Sequence, residues 1–499
     1  MTELTRRATL KLIGAGTGTI ALATPPLLSR AGDAPAERAE DASAVKSLSD
    51  KIADYIVNAR FEDLPPAVIQ KAKEQIVFFF GRAFEISQME QGREAIEVAR
   101  QAARADDGAS VIGTRLRLPP SDAAFTNSTL FGGSLSMDDV LADADIHAGV
   151  ITLPAALAIG EVKRVHGREL LLSLVLGYEV LAKLGKVGLG WRAPFPRRST
   201  NIFGGYGPIV VAGRLLRLDR ERMGHALGYA ANLCMGIAEG SMMEHYYSLI
   251  SRNGTFAAQL VEAGGISYST ATIEGELGLY RSFFGKVPDE LPKLIDSLGY
   301  WEILTAVQKR YSGTGHNTTA TEMFADMVAR EKLTPDRVKQ IQAVLPSKES
   351  RARELELTST GPFKPEHRAS SSLPYALALV LTDGKIDVAR FADDSIANDR
   401  ALASVMKKID VTFEPGHGSR WTKLTVLTAD GRKLERESDF FTFEFPRDTW
   451  DDWLRASGSR ILSSDQLLRV EQLIANLENV DDVSKLLAAA TPNVSAVRP

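Results

Sequence analysis

The chain has 499 residues and a formal net charge of −4, and at about 100–200 residues per domain this length predicts about two or three domains. Hydrophobic residues make up 44% and charged residues 24%, which excludes wholesale disorder and fibrous repeats. The small net charge excludes a strongly basic nucleic-acid-binding domain. Seven histidines and one cysteine exclude an iron–sulfur cluster or a cysteine-rich zinc site.

Residues 1–44 have the features of an export signal. Arg6 and Arg7 precede a mildly apolar, glycine-rich core at 12–24, and small residues follow it. This order is typical of a signal peptide, and the paired arginines indicate twin-arginine export. We therefore expect a periplasmic protein without a stable membrane span, since the core is too short to cross a bilayer comfortably. The alternative is an amphipathic tail.

Residues 45–300 predict a large helical domain, because apolar residues recur there at spacings of three and four. The stretches 153–165 and 170–184 are apolar on most faces, as buried helices are. Another helix is predicted over 204–218, where glycines allow close approach of a neighbour.

Residues 301–446 predict a smaller α+β domain. Strands are expected at 338–345, 409–413, 424–427 and 433–437, the last two joined by an Asp-Gly turn, and helices at 317–331, 373–383 and 398–408. Within residues 447–499 the helical period returns from Leu467 to Ala490, so we expect this C-terminal segment to rejoin the helical domain.

The first group of residues with catalytic chemistry precedes the apolar helix at 153–165. It contains Asp138, Asp139, Asp143 and His147. Paired carboxylates and an imidazole can exchange protons near neutral pH. One alternative is that the acids only cap the helix, whose dipole attracts negative charge. Another is a metal site formed by the same residues.

Arg198 and Thr200 lie just before the glycine-opened helix at 204–218. An arginine at this place can bind a carboxylate through two hydrogen bonds, with help from the helix N-terminus. The alternative is a solvated basic loop.

Two later segments add further candidates. Lys309, Arg310 and His316 surround small residues that would let a ligand approach the backbone, and Tyr375 enters a helix after a run of serines. Each segment alone has no specific meaning.

Taken in this order, the segments resemble the MmgE/PrpD family, which includes 2-methylcitrate dehydratases, cis-aconitate decarboxylases and some carboxylate isomerases. The resemblance spans about residues 45–478 and is carried by Asp138-Asp139, 153–161, Gly177-Tyr178-Glu179, 204–218 and 372–375. It implies a mainly α fold with a large helical domain and a smaller α+β domain. It also implies a homodimer, with a site between the domains that requires no metal or organic cofactor.

The resemblance assigns roles residue by residue. The catalytic candidates are Asp138, Asp139, His147, Lys309, His316 and Tyr375, and the substrate-binding candidates are Arg198, Thr200, His245 and Arg310. Three positions depart from the family pattern: Ser136 replaces an acid, Arg198 a histidine and Met243 a lysine.

We therefore expect a divergent lyase acting on a small di- or tricarboxylate. A proton is abstracted α to a carboxylate, and water or carbon dioxide is lost. His147 or His316 would be the base or acid, Asp138 or Asp139 would orient it, and nearby cations would stabilise the developing charge. The three departures favour an alternative, a catalytically inactive periplasmic carboxylate-binding protein on the same fold. A metal-dependent hydrolase is a third possibility.

Overall fold

A computed structural model describes the chain from residue 46 to residue 493. The description omits 104–106, 134–136, 142–143, 190–198, 234–244, 266–268, 270, 310, 312, 314, 348–350, 364–368, 387–389, 391–395, 419–420 and 439–446. The predicted export signal, the candidates Arg198 and Arg310, and the departures Ser136 and Met243 lie outside the described residues. Within them, no helix has the length and apolar character needed to cross a membrane.

The first part of the chain is mainly helical, as predicted. Its helices are α1 (Leu48–Asn58), α2 (Pro66–Ile86), α3 (Glu90–Arg100), α4 (Pro120–Ser128), α5 (Gly149–Val162), α6 (Gly167–Leu189), α7 (Ser199–Phe203), α8 (Tyr206–Leu215), α9 (Arg220–Ala230), α10 (Tyr246–Glu262), α11 (Leu279–Phe284) and α12 (Leu291–Asp296). Local chemistry sets several starts: Ser47 and Asp50 form a capping box on α1, and Pro66 occupies the first turn of α2.

Four short strands in this part were not predicted. They are β1 (Ala109–Ser110), β2 (Arg117–Leu118), β3 (Asp139–Leu141) and β4 (Ala306–Gln308), paired antiparallel as β1–β2 and β3–β4. Strands of two or three residues are too short to show an alternating pattern in the sequence. The acids at 138 and 139 therefore lie at a strand and not in the first turn of a helix.

The predicted helix at 204–218 is also interrupted. Gly204 and Gly205 separate α7 from α8, and a Cβ on Gly205 would come within 3.0 Å of the carbonyl oxygen of Ala230. The glycines therefore let a neighbouring chain segment pass close to this break.

The α+β architecture predicted for the second part is confirmed. Its strands are β5 (Val338–Pro346), β6 (Ile409–Glu414), β7 (Thr422–Thr428) and β8 (Lys433–Ser438), and its helices are α13 (Gly315–Glu331), α14 (Arg351–Thr358), α15 (Leu373–Asp383) and α16 (Arg400–Met406). The sheet order is β6-β5-β7-β8, with β5 and β6 parallel and the other pairs antiparallel. The β7–β8 hairpin turns at Asp430-Gly431, as the sequence predicts.

Each of these two parts has its own hydrophobic core. The second core begins at Tyr311 and ends at Val426, while the first contains residues 48–306 and then resumes at Trp450. The helices α17 (Arg447–Gly458), α18 (Ser464–Ala475) and α19 (Ser484–Ala489) contribute to this first core. Trp450 packs edge-on against Phe78 of α2, with ring centroids 5.0 Å apart.

Close helix packing at Gly177 of α6 generates a prediction. A Cβ there would lie 2.6 Å from Thr152 of α5 and 2.8 Å from Val211 of α8, both β-branched and buried. Alanine improves helix propensity by about 1 kcal/mol, but overpacking a core typically destabilises by about 1–3 kcal/mol. Gly177→Ala is therefore expected to lower the melting temperature.

Gly418 provides the control, because it is exposed and a Cβ there would meet nothing within 4 Å. Gly418→Ala should leave the melting temperature almost unchanged. A Gly177→Ala protein as stable as the wild type would show that α5, α6 and α8 are not packed as described.

Candidate active site

A buried ion pair joins β3 to the end of β4. Lys309 directly follows β4, and its backbone N–H donates to the carbonyl oxygen of Asp138, which precedes β3, at 2.9 Å. The ammonium of Lys309 also lies 2.7 Å from Oδ1 of Asp138. Both residues are at most 2% exposed. The antiparallel register of two short strands thus brings together charges that are 171 positions apart in the chain.

His147 lies on the other oxygen of the same carboxylate. Its Nδ1 is 2.7 Å from Oδ2 of Asp138, close enough for an ion pair but not aligned as a hydrogen bond. The backbone N–H of His147 donates to Oγ1 of Thr200 at 3.1 Å, and its ring packs against Tyr247 at 5.0 Å between centroids. The His147 side chain is 11% exposed, so it is the member of the group that solvent can reach.

Burial and neighbouring charges set the protonation states of Asp138 and His147. Burial alone would raise the pKa of Asp138, but the charges of His147 and Lys309 outweigh it and lower the pKa to about 2. Burial lowers the pKa of His147, and Lys309 acts in the same direction, while Asp138 and Asp145 oppose them. At neutral pH the carboxylate of Asp138 is therefore ionised, and the imidazole of His147 is neutral and can accept a proton.

Asp139 has a different set of partners, because neighbouring residues of a strand point to opposite faces. Its Oδ1 accepts from the backbone N–H of Gly149, the first residue of α5, at 2.8 Å, and its Oδ2 accepts from the hydroxyl of Tyr178 at 2.6 Å. Asp139 therefore caps the N-terminus of α5 from ten positions earlier in the chain, whereas Asp138 contacts His147. Burial raises the pKa of Asp139 to about 7, although these two donors oppose the rise.

The Gly-Tyr-Glu segment of α6 supports the site at two points. Tyr178 donates to Asp139, and Glu179 accepts the backbone N–H groups of Gly299, Tyr300 and Glu302, at 2.9, 3.1 and 2.6 Å. The second set of bonds fixes the turn that leads into β4 and so to Lys309. In the sequence this segment is only a family landmark, and no local pattern there predicts a role for Tyr178 or Tyr247.

The remaining candidates lie in several places. Thr200 fixes the backbone of His147, and His245, just before α10, has its Nδ1 3.2 Å from Oγ1 of Thr129. Tyr375 lies in the second core, where its hydroxyl donates to the carbonyl oxygen of Arg390 at 3.5 Å. Its catalytic role stays a prediction. So does that of His316, whose backbone lies in the first turn of α13.

The metal alternative names Asp138, Asp139, Asp143 and His147, and Asp143 lies outside the described residues. Among those described, no group of three or more His, Cys, Asp or Glu side chains is arranged to hold a metal ion.

The raised pKa of Asp139 generates a prediction for the pH dependence of stability. Its ordinary value is 3.8, and in the folded protein it is about 7. Between these values the folded protein holds a proton that the unfolded chain has released. The free energy of unfolding therefore falls as pH rises from about 4 to about 7, by about 1.4 kcal/mol per pH unit. Above about pH 7 Asp139 is ionised in both states, so the stability that its protonation provides is fully lost.

Asp139→Asn removes this titration. In urea unfolding between about pH 5 and about pH 7, the wild type should lose about 2–3 kcal/mol more than the variant. Asp296 is exposed and pairs with Lys51 at the surface, so Asp296→Asn is a control that should follow the wild type. Equal losses in the wild type and Asp139→Asn would contradict the raised pKa.

Comparisons with known proteins identify the family. Residues 50–291 match the MmgE/PrpD N-terminal domain, and residues 311–452 match the MmgE/PrpD C-terminal domain. A cis-aconitate decarboxylase-like protein of Aspergillus oryzae is 24% identical over 90% of this chain and 98% of its own length. The cis-aconitate decarboxylase of Homo sapiens is 24% identical, over 89% of this chain and 94% of its own, and that of Aspergillus terreus is 22% identical, over 90% and 97%. Since the two domain matches together cover most of its length, the chain belongs to the MmgE/PrpD family.

Proposed function

We propose that this protein is a decarboxylase that acts on a small tricarboxylate of the cis-aconitate type. The relatives named above support the substrate class, since they carry that activity in their names and align with nearly the whole chain. The observation that carries the proposal is the group Asp138, Lys309 and His147, in which two charges are buried and the imidazole keeps 11% of its side chain exposed.

Decarboxylation breaks the bond between a carboxylate and its neighbouring carbon and leaves the electron pair within the rest of the substrate. A carbon atom of the remaining molecule must then take up a proton. The group that delivers it needs a pKa near the working pH. We assign this transfer to His147, whose imidazole is neutral at rest. It takes a proton from solvent to become an imidazolium and gives that proton to the substrate carbon as carbon dioxide leaves, which returns the ring to its neutral form.

Asp138 and Lys309 prepare His147 for this transfer. The carboxylate of Asp138 beside Nδ1 orients the ring and stabilises the imidazolium once it forms. The ammonium of Lys309 keeps that carboxylate ionised and places a positive charge next to the site, where negative charge develops on the substrate. Arg198 and Arg310 are the proposed clamps for the substrate carboxylates.

Dehydration could use the same residues, but it would remove water from the substrate instead of carbon dioxide. The base would remove a proton α to a carboxylate, and a hydroxyl group would leave as water without loss of carbon. We prefer decarboxylation because the relatives are named for it. The inactive binding protein finds no support in the comparisons. The proposal also places the enzyme in the periplasm, from the signal at Arg6-Arg7, and as a homodimer, from the family resemblance.

Purified protein incubated with cis-aconitate is expected to release carbon dioxide and to form a dicarboxylate with one carbon fewer, both followed by proton NMR and a carbon dioxide assay. His147→Asn should lower kcat by about 10²–10⁴-fold, the usual contribution of a general acid or base. His166→Asn is the matched control, because His166 is exposed beyond the opposite end of α5 from His147.

Three results would contradict the proposal. The wild type could leave cis-aconitate unchanged, it could hydrate or dehydrate a tricarboxylate without releasing carbon dioxide, or His147→Asn could turn over as fast as His166→Asn. The second result would identify a dehydratase.

A further inference from the structure

Arg82 of α2 is a buried cation that the proposed mechanism does not use. Its side chain is fully buried, and the guanidinium lies 4.0 Å from the ring centroid of Trp453 in α17 and 5.4 Å from that of Phe78. An ion pair with Glu85 supplies the counter-charge. Burial lowers the pKa of Arg82 to about 10, so it is still protonated at neutral pH. A protein tolerates a fully buried charge only where all its partners are in place.

One of these partners belongs to the candidate active site. Nη2 of Arg82 donates to the carbonyl oxygen of Lys309 at 2.8 Å, although 227 positions separate the two residues. The N–H of Lys309 is held by the carbonyl oxygen of Asp138, and its ammonium by the carboxylate of Asp138. Lys309 is thus fixed at its N–H, its carbonyl group and the end of its side chain.

We propose that Arg82 is a positioning residue, which holds the backbone of Lys309 so that the ammonium stays on Asp138 during turnover; this inference rests on the proposed function. A lysine side chain is long and flexible, and its charge alone does not define a direction. A charge-assisted hydrogen bond from a guanidinium to a carbonyl group restrains the lysine backbone far more rigidly.

The stack on Trp453 extends this restraint to the C-terminal part of the chain. Trp453 lies in α17, and α17 belongs to the first core through Trp450 and Leu454. A guanidinium stacked on the face of a tryptophan ring makes a favourable cation–π contact, and this contact holds the guanidinium plane in place. The C-terminal helix α17 is thus linked to Lys309 through Arg82.

The inference predicts how the charges around His147 respond. Asp138 and Asp145 raise the pKa of His147, whereas Lys309 lowers it. Tyr247 contributes its ring to the same environment. If the Lys309 ammonium moves away from Asp138, the carboxylate is less neutralised and His147 holds its proton more tightly. Loosening Lys309 should therefore raise the pKa of His147, whereas a purely structural defect should not.

The experiment compares Arg82→Lys with Arg214→Lys. Arg214 of α8 also donates to backbone carbonyl groups, those of Ile56, Val57 and Ala59, but it contacts no residue of the site among those described. The readouts are the pKa of His147 from histidine NMR, kcat/KM and the melting temperature. Arg82→Lys should raise the pKa of His147 and lower kcat/KM about 10- to 100-fold, as expected for misplacement by about 1 Å. Arg214→Lys should lower only the melting temperature.

A second arm tests whether Arg82 acts through Lys309. Lys309→Met should itself raise the pKa of His147, and adding Arg82→Lys to it should give no further rise. Should Arg82→Lys fail to fold, Trp453→Leu removes the ring over the guanidinium and should move the pKa in the same direction by less.

The inference is overturned if Arg82→Lys, or Trp453→Leu in its place, destabilises the protein and leaves the pKa of His147 unchanged. It is also overturned if the effects of Arg82→Lys and Lys309→Met on that pKa add. Because the NMR readout needs no turnover, an enzyme inactive on tricarboxylates would refute the proposed function and still give a result here.

Discussion

The buried ion pair between Asp138 and Lys309 is the constraint on which the rest of this site depends. Two charges at most 2% exposed have little water to solvate them, so each needs the other at hydrogen-bonding distance. That requirement fixes the register of β3 against β4. Glu179 holds the turn at 299–302 that leads to Lys309, and Arg82 holds the backbone of Lys309, so both support the pair. A short two-stranded sheet is weak by itself, and here it is supported from both sides by buried charged groups.

The same pair explains why two adjacent aspartates behave differently. Asp138 lies between a lysine and a histidine, so its pKa falls to about 2, whereas burial raises the pKa of Asp139 to about 7 against the opposing effect of the Tyr178 hydroxyl and the N–H of Gly149. Two neighbouring carboxyl groups with widely separated pKa values divide the work of a site between them. One provides the fixed negative charge beside His147, and the other joins β3 to α5 and α6.

Much of this organisation could be predicted from the sequence, because it is local. The apolar stretches that became α5 and α6, the strand at Val338–Pro346 and the Asp-Gly hairpin each show their period within a short window. The residues Asp138, Asp139 and His147 could be predicted as catalytic candidates because they are within ten positions of one another. Lys309 was named from the charged and small residues around it, but only the family resemblance gave it a catalytic role.

The parts that were not predicted depend on distant contacts. A three-residue strand such as β3 has no detectable period, and its partner lies about 170 positions away. Arg82 reads in the sequence as one polar residue in an apolar helix, and only the folded structure places it on Lys309 and Trp453. Tyr375 illustrates the opposite case: its position at the start of α15 was predicted, but its contacts lie in the second core.

The most direct test of the central claim is a double-mutant cycle on the ion pair, measured by urea unfolding at neutral pH. Asp138→Asn and Lys309→Met should each destabilise the protein by about 3–5 kcal/mol, because each leaves one buried charge without its partner. The double variant leaves neither, so its loss should be smaller than the sum of the single losses by about 2 kcal/mol or more. Additive losses would show that Asp138 and Lys309 do not interact in the folded protein and would contradict the account.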